Sequence, residues 1–261
     1  MPDNSGWDDH AEWWIEGFTG GVDPEYEEQI IPLAVEEAAA DELSAAHRAP
    51  VRVLDVGCGE GQISRALASA GCSVTGVDPT VRNIDTARAR GGGPRYVLAG
   101  AEELPFADAD FDVVVACLVF EHIDALEPAV AEVARVLRPG GRFAFFLNHP
   151  LLQTPGSGWI DDHIIDPPEQ YWRIGPYLTE TATHEEVEPG VRIRFVHRPL
   201  SRYVNCLAAH GLLVERMVEP SPPPGFLERA PEYLLAHTVP RLLYLRTTKL
   251  VDRTDRERAH R

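Results

Sequence analysis

The stretch from Val51 to Asp78 constrains the fold of this chain more than any other. It reads as an apolar strand, a glycine turn, a helix and a second strand that ends in an acid. Gly57, Gly59 and Gly61 allow a sharp bend after the first strand and let a flat ligand lie against the backbone. Asp78 follows about twenty residues later, where a carboxylate can accept hydrogen bonds from both hydroxyls of a ribose. This order of elements predicts a crevice that binds a nucleoside.

The spacing of the glycines favours one class of ligand over another. A dinucleotide fingerprint reads G-x-G-x-x-G, whereas this turn reads Gly57-Cys58-Gly59-Glu60-Gly61. We expect Glu60 to place an anion where a pyrophosphate would be repelled. A nicotinamide oxidoreductase is therefore disfavoured, and the remaining alternative to a nucleoside site is a plain tight connection between strand and helix.

The composition excludes some partners. The chain has 261 residues and a formal net charge of -17, and its acids are spread along the sequence. Such a surface repels phosphate backbones, so we expect no nucleic acid partner. Four widely spaced cysteines form no C-x-x-C pair and no Cys/His cluster, which predicts a reduced compartment and no metal site.

The acidic start is unlike a signal peptide and no apolar run is long enough to span a bilayer, so we expect a cytoplasmic protein without a membrane partner. The composition leaves the oligomeric state open.

Several short motifs follow one another along the chain. Residues 55–61 read D-V-G-C-G-E-G, and later motifs are 101–106 (A-E-E-L-P-F), 111–114 (F-D-V-V), 121–123 (E-H-I) and 136–141 (V-L-R-P-G-G). In these motifs, in register, the chain resembles the class I S-adenosylmethionine (SAM) dependent methyltransferases, small-molecule type, whose first motif is D-x-G-C-G-x-G. The resemblance covers residues 30 to 148 strongly and the remainder loosely. It is specific for the fold and for SAM, and nearly silent on the substrate.

The predicted fold class is α/β. Strands alternate with helices, which favours a Rossmann-like, seven-stranded, mostly parallel sheet with helices on both faces, plus N-terminal helices and an inserted substrate-cap segment. The resemblance makes the last strand antiparallel. We predict strands at residues 51–56, 73–78, 95–98, 111–117, 142–147, 212–218 and 240–248, and helices at residues 7–18, 24–48, 62–70, 82–90, 126–137 and 200–210.

Five parts of the chain follow from this reading. They are an N-terminal helical lid at 1–48, a SAM-binding Rossmann-like core at 49–148, an inserted substrate cap at 149–197, a C-terminal part of the core sheet at 198–250 and a charged tail at 251–261. Within the cap we expect loop or short helix at 151–168 and a hairpin with arms at 177–187 and 191–197. Residues 220–225 are proline-rich and predict a stiff polyproline stretch.

The resemblance implies that SAM is the methyl donor and S-adenosyl-L-homocysteine the product. It implies this set of cofactor residues, in chain order: Asp55, Gly57, Cys58, Gly59, Gly61, Asp78, Pro79, Ala101, Glu102 and Cys117. Gly100 stands where the family usually has an acid, so the N6 amine of adenine would need Glu102 or a backbone carbonyl. We interpret Cys58 and Cys117 as packing residues, because a buried thiol behaves as a small hydrophobe.

Two histidines are candidate catalytic bases. His149 follows the fifth strand at the mouth of the expected pocket, where it could deprotonate a hydroxyl, bind a carboxylate or be a satisfied hydrogen-bonding residue. His122 could act as a base or hold its loop. Candidate substrate-binding residues are Trp14, Tyr171, Trp172 and Arg198, although Arg198 could equally pair with surface carboxylates.

Three of the five tryptophans, Trp7, Trp13 and Trp14, lie close together near the start of the chain. They predict either a helix packed on the sheet or a lid over the methyl donor. The leading functional hypothesis is methyl transfer from SAM to an oxygen or nitrogen of a small molecule. The alternatives are a protein methyltransferase and a non-catalytic SAM-binding regulatory module.

Overall fold

The computed structural model describes residues 7–38, 50–229, 231 and 235–251. Strands and helices alternate through most of these ranges. The helices are α1 (Trp7–Phe18), α2 (Ile31–Ala38), α3 (Gln62–Ser69), α4 (Val81–Arg90), α5 (Leu126–Val136), α6 (Leu200–Ala209) and α7 (Pro224–Arg229). The strands are β1 (Arg52–Val56), β2 (Ser73–Asp78), β3 (Arg95–Leu98), β4 (Phe111–Cys117), β5 (Leu137–Asn148), β6 (Gly158–Asp162), β7 (Glu169–Arg173), β8 (Thr181–Glu188), β9 (Val191–His197), β10 (Leu212–Val218) and β11 (Leu242–Lys249).

Seven strands form one sheet in the order β10-β11-β5-β4-β1-β2-β3. All neighbouring pairs are parallel except those of β11, which runs antiparallel to both β5 and β10. The prediction of a Rossmann-like, mostly parallel sheet is confirmed. The order of the strands reverses between β1 and β4, and in open sheets of this kind a crevice forms outside the carboxyl ends of such a pair.

The sheet separates two hydrophobic cores. Every residue of β4 is buried, and its side chains alternate between the faces, with Val114 and Ala116 in one core and Val113 and Val115 in the other. Helices α5 and α6 cover the first face, while α2 and α3 cover the second. Since both faces are covered, β4 reads in the sequence as a continuous apolar run.

A carboxylate joins the amino ends of the three central strands. Asp112 is buried in β4, and its Oδ2 accepts a hydrogen bond of 2.8 Å from the backbone N–H of Arg52 in β1. Its Oδ1 accepts a hydrogen bond of 2.6 Å from Nε of Arg138 in β5. The polar side chain is thus satisfied from both neighbouring strands, as burial requires.

Three segments differ from the sequence-based expectation. Residues 158–162 were expected in a loop or short helix but form β6, which pairs with β7. The rings of Trp159 and Trp172, which are direct partners in this hairpin, lie 5.5 Å apart and form a cross-strand contact. Pro224 and Gly225 open α7 instead of ending a polyproline stretch, since proline suits the first turn of a helix. Strand β5 begins at Leu137, and the pairing jumps from Leu137 to Arg142, so the proline-glycine turn bulges within the strand.

The N-terminal region is only partly as expected. Helix α1 has its predicted bounds, but a π-helical turn, Tyr26–Ile30, precedes α2 where one continuous helix was predicted. The remainder of that prediction, 39–49, and the charged tail at 252–261 lie outside the described residues. Within the described ranges, no helix combines the length and apolarity needed to cross a membrane.

Replacing Asp112 by alanine should destabilise the protein by about 1–3 kcal/mol, because the N–H of Arg52 and the guanidinium of Arg138 lose their buried acceptor. Asp110→Ala is the matched control, since Asp110 pairs with the exposed side chain of Arg52 and such pairs contribute less than about 1 kcal/mol. Urea unfolding of both variants measures the difference. Equal losses would mean that Asp112 does not join the strands as described.

Candidate cofactor and acceptor cavity

A cavity of about 290 Å³ lies at the carboxyl edge of β1, β2 and β4. Its floor is the turn between β1 and α3, where the backbone N–H groups of Gly57 and Cys58 donate to the carbonyl of Val77 at 2.8 and 2.9 Å. The sequence-predicted residues that line it are Trp14, Asp55, Gly57, Cys58, Gly59, Asp78, Pro79, Ala101, Glu102, Cys117 and His122. The structure thus brings most of the predicted cofactor residues to one place.

The three glycines of the turn do different things. All have positive φ, at 70°, 54° and 88° for Gly57, Gly59 and Gly61, a region that side chains disfavour. A Cβ at Gly57 would lie 2.3 Å from Val119, and a Cβ at Gly61 would lie 2.3 Å from Tyr96. At Gly59 no atom would lie closer than 3.7 Å. A ligand can therefore approach the backbone at Gly59, while the other two glycines accommodate the protein's own side chains.

Asp78 and Asn83 form a wall of acceptors. The carboxylate of Asp78 is buried; its Oδ2 accepts from the N–H of Gly59 at 3.0 Å, and its Oδ1 accepts from the N–H of Thr80 at 2.8 Å and Nδ2 of Asn83 at 3.3 Å. A carboxylate has about four acceptor positions, so Oδ2 can take a further donor. Oδ1 of Asn83 is buried and receives no hydrogen bond from the described residues. Both side chains line the cavity, where they suit a ligand that carries hydroxyl or amino groups.

Asp55 adds a second buried carboxyl group. Ser64 donates to its Oδ2 at 2.6 Å, which ties β1 to the first turn of α3. Burial raises the pKa of Asp55 to about 7; the hydrogen bond from Ser64 opposes this rise, and the charge of Asp78 adds to it. Burial also raises the pKa of Asp78. A positively charged ligand would stabilise the carboxylates of Asp55 and Asp78 and lower both pKa values, so these two groups favour a cationic ligand.

Four ring side chains, which we name the aromatic roof, line the other side: Trp7 and Trp14 of α1, Tyr26 and His122. Their rings touch in series, with centroids 5.0 Å apart for His122 and Trp7, 5.7 Å for Trp7 and Trp14, and 5.8 Å for Trp14 and Tyr26. Helix α1 contacts α4 through an exposed ion pair of 2.9 Å between Glu12 and Arg82. Neighbouring rings meet edge to face, at angles of 79° to 87°, so the roof gives the cavity an aromatic surface made of both ring faces and ring edges.

His122 is neutral at physiological pH. Its Nδ1 lies 2.8 Å from the carbonyl oxygen of Arg194, which can only accept, so Nδ1 carries the proton and donates. Burial lowers the pKa of His122 to about 4, with this hydrogen bond opposing the shift. The ring thus holds its loop against β9 and is a weak base.

Neighbouring Glu121 was quoted in a motif but not predicted in the site. It is buried, and its Oε1 accepts from the backbone N–H of Asn148 at 3.1 Å and from Nδ2 of Asn148 at 2.8 Å. Burial, as the largest cause, raises the pKa of Glu121 to about 7. The residue ties the turn after β4 to the end of β5, directly behind His122.

Two cysteines lie in the same cavity. Burial raises the pKa of Cys58 and that of Cys117 well above the usual range, and the nearby carboxylates add to the rise. Both side chains therefore remain thiols, and their surroundings suit packing rather than attack.

His149 lies outside the residues that line the cavity. Its Nε2 is 2.7 Å from the carboxylate of Glu219, and its Nδ1 accepts from the N–H of Leu151 at 3.1 Å. The side chain is buried at the start of the inserted segment. The structure thus does not bring His149 together with the other predicted site residues, and the satisfied hydrogen-bonding alternative describes its contacts.

Arg198 is not a substrate clamp, and that prediction is wrong. Its guanidinium is buried and donates to three backbone carbonyls, those of Phe120, Ile123 and Asp124, at 3.2, 2.7 and 2.9 Å. These donors are already used in holding the turn after β4. The sequence could not show this, because the three carbonyls lie more than seventy residues away along the chain.

Tyr171 and Trp172 lie on the β6–β7 hairpin and are not among the residues that line the cavity. Trp172 packs on Trp159, and Tyr171 is exposed. The structure therefore places these two predicted substrate residues away from Trp14. Gly61 likewise does not line the cavity, because the side chain of Tyr96 covers it.

The expectation that Glu60 repels a pyrophosphate is wrong. Its buried carboxylate pairs with Arg65 at 2.7 Å and with Arg90, so its charge is neutralised. The glycine spacing, not the charge of Glu60, remains as the argument against a dinucleotide.

The site contains residues that the sequence analysis did not select, among them Tyr26, Thr80, Asn83, Leu118 and Val119. One signal was available for Asn83: it lies in the first turn of the helix that follows the strand-end acid, so it can point back to that acid. Tyr26 had no such signal, because only the packing of the N-terminal segment brings it to β1 and β4.

Comparison with known proteins agrees with this geometry. Residues 54–145 match the family model described as a methyltransferase domain. A malonyl-[acyl-carrier protein] O-methyltransferase of Enterobacter lignolyticus is 45% identical over 94 residues, which are 36% of this chain and 38% of that protein. A ubiquinone biosynthesis O-methyltransferase of Rhizobium etli is 37% identical over 141 residues, 50% of this chain and 56% of that protein. The chain thus matches 38% of the length of the first relative and 56% of the length of the second.

A solved structure is similar over a larger part. The S-adenosylmethionine dependent methyltransferase from Mesorhizobium loti superposes with a TM-score of 0.67 at 25% identity, covering 81% of this chain and 98% of that one. The fold is of the Rossmann-like class. Residues 54–145 match a methyltransferase domain, and the chain is similar over most of its length to a SAM-dependent methyltransferase of known structure.

The buried carboxyl group of Asp55 should make stability depend on pH. Its pKa is about 7 in the folded protein, whereas the ordinary value for this side chain is 3.8, so between these pH values the folded state binds more protons than the unfolded state. The free energy of unfolding therefore falls as the pH rises from about 4 to 7 and then levels off. Asp55→Asn lacks this titration, so chemical denaturation at several pH values should show wild type losing stability relative to the variant. A constant difference between the two would contradict the assignment.

Arg198→Ala should cost about 2–4 kcal/mol of stability, because it leaves buried carbonyls without donors and opens a gap. Arg202→Ala is the matched control: Arg202 pairs with Glu127 and Glu180 at the surface, and its loss should cost less than about 1 kcal/mol. Thermal or urea unfolding compares them. A stable Arg198→Ala protein would reopen the substrate-clamp interpretation.

Proposed function

We propose that this protein transfers a methyl group from SAM to a small-molecule acceptor. The observation that carries the proposal is a single cavity that combines an open glycine turn, buried carboxylates and an aromatic roof. The matched methyltransferase domain supports it. Because the chain covers only part of the curated relatives, the substrates of those proteins are not transferred to this one.

The residues present fit SAM. The wall of Asp78 and Asn83 offers acceptors for ribose hydroxyls, and Pro79, Ala101 and Glu102 line the cavity where the resemblance puts adenine. Asp55, Gly57 and Cys117 lie where the resemblance puts the methionine part. SAM carries a positive charge on sulfur and makes its methyl group electrophilic. The buried carboxyl groups of Asp55 and Asp78 suit that positive charge.

The chain itself then has three tasks in the reaction. The glycine turn and Asp78 hold the donor, the aromatic roof orients a flat acceptor, and α1 excludes water from the cavity. No covalent protein nucleophile is required. The thiols of Cys58 and Cys117 serve as packing next to the donor.

The division of the chain into five parts is also part of this proposal. We take residues 1–48 as a lid, 49–148 and 198–250 as the core, 149–197 as the cap and 251–261 as a charged tail. Contacts of Trp7 and Trp14 with the cavity support the lid. The acidic composition supports a small-molecule rather than a nucleic acid partner, and a cytoplasmic location accords with the free thiols.

Calorimetry with SAM tests the proposal. We expect the protein to bind SAM and S-adenosylhomocysteine but not NADH, and Asp78→Asn to weaken SAM binding about tenfold or more, because a charged acceptor is lost. Asp85→Asn is the control, since Asp85 is exposed on α4 and pairs with Arg88. Binding of NADH without SAM would overturn the proposal, and an unchanged affinity in Asp78→Asn would remove that residue from the site.

A further inference from the structure

The charges around the cavity restrict the acceptor. Among the described residues that line it there is no lysine or arginine, whereas five are acids: Asp55, Glu60, Asp78, Glu102 and Asp124. Glu60 is neutralised by Arg65 and Arg90, and Asp124 pairs with Arg194 at 2.6 Å. Within the described part of the chain, the remaining three acids, which the proposed donor contacts, have no arginine partner. The described lining therefore carries no basic group to balance them.

An anionic acceptor is therefore disfavoured twice. It would approach carboxylates of like charge, and it would find no cation to replace the water that it leaves. Arg198, which the sequence suggested for this purpose, donates to backbone carbonyls instead. A carboxylate substrate does not fit these surroundings.

The aromatic roof favours an acceptor that itself carries a ring. Trp7, Trp14, Tyr26 and His122 meet edge to face, so the roof offers ring faces and ring edges on which another aromatic ring can pack. The Trp14 Nε1 atom is also the nearest atom to the open face of Gly59, at 3.7 Å from where a Cβ would be. The roof therefore reaches directly over the cofactor turn, and a flat ring bound beneath it would lie next to the donor.

Neither histidine that the sequence suggested as a base suits the removal of a proton, and the buried carboxyl groups of Asp55 and Asp78 lie where the proposed donor binds. The ring of His122 donates through Nδ1 to a backbone carbonyl, and burial keeps its pKa at about 4. His149, the other candidate base, lies outside the lining residues. A phenol or alcohol needs to lose its proton as it attacks, whereas an unprotonated nitrogen already has a free electron pair.

We propose that the acceptor is an uncharged, planar nitrogen compound, such as a nitrogen heteroaromatic, that attacks through an unprotonated nitrogen. This rests on the proposed methyl transfer and narrows its substrate class. The nitrogen lone pair forms the N–CH3 bond, the S–CH3 bond breaks, and its electron pair stays on sulfur. The positive charge thus passes from sulfur to the acceptor ring, where the buried carboxylates and the aromatic roof stabilise it.

Three two-ring compounds of similar size separate the possibilities: isoquinoline, 2-naphthol and 2-naphthoate. Binding is measured by calorimetry on wild-type protein loaded with S-adenosylhomocysteine, and methylation by mass spectrometry with SAM. We expect isoquinoline to bind at least about tenfold tighter than 2-naphthoate and to be methylated at nitrogen faster than 2-naphthol at oxygen.

The proposal is overturned if 2-naphthoate binds as tightly as isoquinoline, if 2-naphthol is methylated at least as fast, or if none of the three binds to the loaded protein. A failure to bind either SAM or S-adenosylhomocysteine would instead overturn the proposed function, and that loading step is measured first. The two failures are therefore distinguishable.

A charge placed in the cavity gives a second test. Ile123 lines the cavity, and Ile123→Lys would add the cation that the described lining lacks. We expect the ratio of 2-naphthoate to isoquinoline affinity to rise at least about tenfold. Ile164→Lys is the matched control, because Ile164 is 97% exposed between β6 and β7. An unchanged ratio in a folded Ile123→Lys protein would contradict the electrostatic argument, and the wild-type panel decides if that variant does not fold.

Discussion

Three carboxyl groups are buried at the carboxyl ends of neighbouring central strands, and the cavity depends on how each is held. Asp55 lies in β1, Asp78 ends β2, and Glu121 follows β4. A buried carboxylate is costly unless hydrogen bonds replace its water. Each group accepts from a neighbouring segment: from Ser64 for Asp55, from Gly59, Thr80 and Asn83 for Asp78, and from Asn148 for Glu121. The need to satisfy these groups positions the glycine turn, the starts of two helices and the end of β5.

The same burial gives the cavity its chemical preference. Burial raises the pKa of both Asp55 and Glu121 to about 7, so the protonated and ionised forms of these carboxyl groups are close in free energy at neutral pH. A cationic ligand in the cavity would interact with the ionised form of Asp55 and lower its pKa. The buried carboxyl groups and the aromatic roof are both suited to positive charge, which is why the cavity fits the proposed donor.

Much of the fold could be predicted because its signals are local. The buried strands are apolar runs, and the bounds predicted for β2, β3, β4 and β10 coincide with the structure. The inserted segment was harder, since β6 gains its pairing from β7 and from the contact of Trp159 with Trp172. Proline and glycine content predicted a loop there, and a cross-strand contact outweighed that preference.

The sequence by itself determined the parallel sheet, the glycine turn and the acid that follows it, because strand period, turn chemistry and spacing are properties of contiguous residues. It did not determine which polar side chains face the cavity. Arg198, predicted as a clamp, is buried against the carbonyls of the turn after β4, while Tyr26 and Asn83 reach the site. Only the tertiary structure decided these roles, because the partner that satisfies a buried polar group can come from any part of the chain.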